Sequence, residues 1–86
     1  MIPYENETYN PGAWTPEGEA KRQAINEWMR MHGAEHFDAL IDFDKAVRDP
    51  SHPTSMRADY DCGDHLHPSD NGYRHMGDAI DLKLFE

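Results

Sequence analysis

Residues 37–43 read FDALIDF, a short apolar run broken by Asp38 and Asp42, and this is the one segment that patterns as a β-strand. Periodicity alone does not separate a run this short from a buried helical segment. Its place directly after an amphipathic helix favours a strand, and helix followed by strand points to an α/β unit. One strand makes no sheet: both of its edges carry amides and carbonyls that need partners. A strand partner is therefore expected from a second copy, by swapping, or by docking on another polypeptide portion.

The helix before that run has clear start signals. In Thr15-Pro16-Glu17, a hydroxyl caps the exposed amides, proline occupies the first helical position, and an acid sits near the positive end of the helix dipole. Ala20, Ala24, Ile25, Trp28, Met29 and His32 recur at three- and four-residue spacing, with Glu19, Arg22, Gln23, Asn26 and Arg30 between them, and Gly33 supplies a stop. The pattern predicts a helix over residues 15–33 with its apolar face, Trp28 included, in the core. Residues 1–14 hold two prolines and Gly12 without any period, and read as an extended arm.

Beyond the strand, residues 44–68 are expected to form a long loop after at most one helical turn, because Asp49-Pro50-Ser51-His52-Pro53 is rich in breakers. A loop of that length in a small chain is often functional. A last helix is predicted over residues 69–85, with Ser69 or Asp70 as its cap and Tyr73, Met76, Gly77, Ile80 and Leu84 as its apolar stripe.

Composition limits what these elements can achieve. The chain has 86 residues, of which 37% are hydrophobic, so one small core is the most it can bury. Seventeen acidic residues against eight basic ones give a formal charge of -9, which repels phosphate backbones and anionic lipid surfaces; no nucleic-acid or membrane partner is expected. No apolar run approaches the ~20 residues of a membrane span, and the first ten residues do not read as a signal peptide. Cys62 is the only cysteine, so no internal disulfide forms, and its acidic neighbours Asp61 and Asp64 disfavour a thiolate.

The densest polar cluster is Asp59-Tyr60-Asp61-Cys62-Gly63-Asp64-His65-Leu66-His67-Pro68. Asp64 and His67 lie three residues apart just before a helix start, a spacing that lets the carboxylate fold back onto one ring nitrogen while the other faces a substrate, as a general base requires. From spacing alone, ordinary loop hydrogen bonds are the better explanation of the pair. The block Asp64-His65-Leu66-His67-Pro68-Ser69-Asp70-Asn71-Gly72-Tyr73 resembles the D-x-x-H-P segment that ends SGNH (GDSL-type) hydrolases, with the glycine and aromatic that follow it. The resemblance extends upstream through Thr15-Pro16-Glu17-Gly18-Glu19-Ala20-Lys21-Arg22 and Ile41-Asp42-Phe43-Asp44-Lys45-Ala46-Val47-Arg48-Asp49-Pro50, and is closest to carbohydrate-esterase-like members.

The resemblance implies an α/β fold, here the C-terminal helix-strand-loop-helix portion of a three-layer SGNH hydrolase, as a single partial domain over residues 1–86. It implies hydrolysis of an acyl or acetyl ester, on an acylated carbohydrate or a small ester. His67 would be the general base, Asp64 its orienting acid, and Asp61 and His65 neighbours rather than catalysts. It implies no cofactor. The family's nucleophile block and its oxyanion-hole glycine and asparagine find no counterpart here, and Ser51, Ser55 and Ser69 lie in neither G-D-S nor G-x-S-x-G. The expectation is a chain inactive alone that works with an N-terminal esterase portion or self-associates.

Two other readings remain. One is a non-catalytic self-associating module. The other is a metal-binding module centred on Asp64, His65 and His67, since Asp61, Cys62, Asp64, His65 and His67 offer oxygen, sulfur and nitrogen ligands within seven residues, although neither zinc-finger spacing nor a calcium loop is present. His32, His36, His52 and His75 are scattered and receive no role. Of the aromatics, Trp14 is left as the candidate for a surface position, with Trp28 and Tyr73 assigned to the core.

Overall fold

The computed structural model describes residues 1–5 and 12–85. The chain is mixed α/β: α1 (Pro16–His36), α2 (Phe43–Val47), β1 (Arg48–Asp49), β2 (His52–Met56), a 3-10 turn (Ala58–Tyr60), α3 (Asp70–Asp78) and a second 3-10 turn (Leu82–Phe85). The arm predicted for residues 1–14 falls partly outside the described residues. Within them, Glu5 runs beside β2, its N–H donating to the Thr54 carbonyl at 3.2 Å and its carboxylate accepting from Thr54 and Ser55.

Helix α1 starts where its signals place it. The Thr15 hydroxyl accepts from the Gly18 N–H at 3.0 Å, and Pro16 is the first helical residue. It does not stop at Gly33. Glycine costs a helix only ~1 kcal/mol relative to alanine, and Ala34 and Glu35 are good helix formers, so the helix continues until Phe37 turns extended and donates its N–H to the Gly33 carbonyl.

The expected strand at residues 37–43 does not form. Residues 37–42 carry no regular element, and Phe43 opens α2, whose N-cap is Asp42, accepting from the Lys45 N–H at 2.9 Å. A carboxylate one residue before Phe43 nucleates a helical turn, and among the described residues no strand pairs with residues 37–42. The strands lie instead inside the segment expected to be loop. β1 and β2 form an antiparallel hairpin with an irregular register, Arg48 opposite Met56 and Asp49 opposite His52. Pro50 and Ser51, read as loop breakers, are its turn, and the Asp49 carboxylate holds the Ser51 N–H and hydroxyl at 2.9 and 2.7 Å. The last helix is also shorter than predicted: α3 ends at Asp78, and a separate 3-10 turn follows.

The face that α1 buries is the reverse of the expected one. Glu19, Arg22, Asn26 and Gly33 are buried, while Ile25 and Trp28 are 48% and 47% exposed. Trp14 is buried with its indole N–H on Glu19, and Tyr73 is exposed, so the aromatic assignments are exchanged as well. The physical reason is an ionic joint. Arg22 reaches Asp44 at 2.5 Å and Glu19 at 2.6 Å, and Asp44 also receives Arg30 at 2.8 Å and Arg48 at 2.9 Å. Burial pushes the Asp44 carboxyl toward its neutral form, but the three guanidinium groups outweigh it and hold its pKa below the ordinary carboxylate range. Such a cluster is stable only when every member is paired. Among the described residues no buried side-chain nitrogen or oxygen lacks a partner.

The apolar core is small. Val47, Met56 and Tyr60 are buried, with Ile2, Ala46 and Met76 packed against them. Tyr60 directly precedes residues 61–68, and Met76 brings α3, which follows them, against the same cluster.

Candidate functional site

Residues 61–68 form a closed loop on top of that core. Asp61 and Pro68 pair across its base, the Cys62 N–H donates to the His67 carbonyl at 3.1 Å, and the Ser69 N–H donates to the Tyr60 carbonyl at 2.8 Å. Helix α3 then departs with Ser69 as its cap, the hydroxyl accepting from the Gly72 N–H at 3.0 Å. Gly72 is required by close approach: a Cβ there would lie 2.4 Å from the Tyr60 carbonyl oxygen. The glycine that follows the D-x-x-H-P block thus lets α3 press against the base of the loop.

Inside the loop two aspartates do parallel work. The Asp64 Oδ1 accepts the Leu66 and His67 N–H groups at 2.9 and 2.8 Å, and its Oδ2 meets the His67 Nδ1 at 2.6 Å. The Asp61 Oδ1 accepts the Gly63 and His65 N–H groups at 2.8 and 3.0 Å, and its Oδ2 meets the His65 Nδ1 at 2.6 Å. These bonds fold the chain tightly enough that Gly63 and His65 both take positive φ, 118° and 60°. The two pairs differ in exposure. The Asp61 side chain is 7% exposed and anchors the loop, whereas the Asp64 and His67 side chains are 38% and 64% exposed and face outward.

The hydrogen bond from His67, joined by the backbone N–H groups of His67 and Leu66, holds the Asp64 carboxyl well below the ordinary carboxylate range. Asp64 is therefore an anion at neutral pH. The contact to Asp64 engages the His67 Nδ1 and leaves the Nε2 for a further partner. His67 also borders an open apolar groove of about 600 Å³ walled by Ile2, Tyr4, Leu66, Pro68, Tyr73 and Met76.

A model of the GDSL-like lipase/acylhydrolase family matches residues 2–75, a span that includes both aspartates, both histidines and the start of α3. The chain belongs to that family. No curated protein matches it. The GDSL-like fold class agrees with the mixed helix and sheet described above, and the family assigns the chain to the esterase and acylhydrolase kind.

The serine hydroxyls of this GDSL-like chain are engaged elsewhere. Ser51 donates to Asp49, Ser55 to Glu5, and Ser69 to the Asp59 carbonyl while capping α3. For the metal reading, the ligand atoms that converge are those of Asp61, Cys62 and Asp64, all within 4.8 Å of one another, rather than Asp64, His65 and His67. The Cys62 Sγ–H donates to the Asp64 Oδ1 at 3.2 Å. The Asp61–His65 pair was legible as a D-x-x-x-H spacing overlapping D-x-x-H, but its role as the buried anchor of the loop was not. His75, left without a role, stacks on Tyr60 at 4.7 Å.

Proposed function

We propose that this chain is the Asp- and His-bearing portion of a GDSL-like esterase, acting on acyl or acetyl esters of a carbohydrate or small alcohol. His67 is the general base and Asp64 its orienting acid. The observation that carries the reading is the 2.6 Å contact from the His67 Nδ1 to an ionised, outward-facing Asp64 carboxylate beside an apolar groove. His67 Nε2 takes the proton of a serine hydroxyl as that oxygen attacks the ester carbonyl, then returns it to the departing alcohol; Asp64 stabilises the imidazolium between the two steps. Each serine hydroxyl here donates to an acceptor other than His67, which supports a nucleophile and oxyanion donors supplied by another portion seated against the groove. A second copy of the chain would cover the same surfaces but bring no new nucleophile block.

The test is hydrolysis of a chromogenic acetate ester by the purified chain and by His67→Ala, each assayed alone and mixed with a nucleophile-bearing GDSL-like portion. Alone, both hydrolyse at near-background rates. In the mixture the parent chain turns over and His67→Ala is slower by about 10²–10⁴-fold, the usual contribution of a positioned base. Turnover by the chain alone that depends on His67 would show a nucleophile inside it, with Ser55 and Ser69 the next variants. Equal turnover of both mixtures would sink the assignment of His67.

A further inference from the structure

His32 and His36 stand one turn apart at the C-terminal end of α1. Residues four apart on a helix share a face, and here the shared face has a visible centre. Trp28 lies one turn further back, with the His32 ring 5.6 Å from it at an interplanar angle of 37° and the His36 ring 5.4 Å away at 20°. One indole therefore backs both imidazoles. The site is open to solvent, with the His32 side chain 42% exposed and the Glu35 carboxylate 3.7 Å from the His32 Nδ1. His36 is the last helical residue, so the pair sits at the negative end of the helix dipole, which favours a cation.

We infer that His32 and His36 form a two-imidazole site for a divalent late transition-metal ion, Zn²⁺, Ni²⁺ or Cu²⁺, with Glu35 at its margin and water completing the coordination sphere. Two histidines four residues apart on one helix face are the pair with which helical zinc motifs grip their metal. Neutral imidazole is a borderline ligand that suits these ions, whereas Mg²⁺ and Ca²⁺ require oxygen donors. Neither ring is buried, and each packs against the half-exposed indole of Trp28. The site is independent of the esterase reading, and the converging donors of the loop, Asp61, Cys62 and Asp64, are its natural competitor.

The experiment is a titration of the full chain with NiCl₂ at pH 7.5, following tryptophan emission. Ni²⁺ binds imidazole, quenches nearby indole and does not oxidise the Cys62 thiol. Trp14, buried against Glu19, supplies a background, and Trp28 reports the site. The expected result is saturable quenching whose midpoint moves to about tenfold or higher Ni²⁺ in His32→Ala and in His36→Ala. The midpoint stays in place in Cys62→Ser and His67→Ala. Circular dichroism checks that α1 survives each substitution, and calorimetry with Zn²⁺ should show the same dependence on His32 and His36. Quenching that never saturates, an unchanged midpoint in His36→Ala, or a midpoint that follows Cys62 or His67 would each overturn the site.

Discussion

Arg22 has a role that its place in a helix of charged residues does not reveal. It is 2% exposed and lies between Glu19 and Asp44, two buried carboxylates that only a cation can hold together. Arg22→Ala should therefore cost about 3–5 kcal/mol in urea denaturation, the usual consequence of leaving buried charges uncompensated. Glycines 72 and 77 make a matched pair on α3. Gly72→Ala drives a methyl into the Tyr60 carbonyl and should destabilise by about 1–3 kcal/mol. Gly77→Ala meets nothing within 4 Å and should stabilise by up to about 1 kcal/mol through helix propensity. Asp64 has a depressed folded-state pKa, so the order it lends the loop is complete above the ordinary carboxylate range and is lost as the pH falls below it. Protection factors of the Leu66 and His67 amides, taken against the intrinsic exchange rate at each pH, should fall below about pH 4, and Asp64→Asn should show weaker protection above that pH.

At the scale of elements, α1 carries two stripes of helical period. One is apolar and runs through Ala24, Ile25 and Trp28; the other is polar and runs through Glu19, Arg22, Asn26 and Arg30. Helix formation and the Thr15-Pro16 start are local and follow from residue type. Which stripe is buried is not local: it depends on Asp44, more than twenty residues further on, presenting a carboxylate to Arg22. The surface position of Trp28 has a measurable consequence. Trp28→Lys should change unfolding free energy by no more than about 0.5 kcal/mol, as exposed substitutions do, where a core tryptophan would cost about 3–5 kcal/mol. The same variant should weaken association with a second copy or an esterase portion, measured by sedimentation. Residues 37–43 likewise depend on what lies beside them. Its apolar run satisfies a strand pattern, but among the described residues no strand lies beside it to complete a ladder, and the Asp42 cap decides for helix from Phe43 onward.

The described residues join a polar hub, an apolar cluster of Val47, Met56 and Tyr60 and a tightly bonded loop, and leave apolar surface at Ile25, Trp28, Tyr73, Leu82 and Phe85. Ile25 and Trp28 lie on α1, Tyr73 on α3, and Leu82 and Phe85 on the last 3-10 turn. The sequence by itself determined the family, the Asp64–His67 pair, the helix caps at Thr15 and Ser69, and the glycine after the block, because each rests on residues within a few positions of one another. Only the tertiary structure decided which face of α1 is buried, where the strands lie, that Asp61 anchors the loop while Asp64 faces outward, and that His32 and His36 share one indole. Those outcomes depend on side-chain direction and on partners distant in the chain, and spacing along a sequence does not record either.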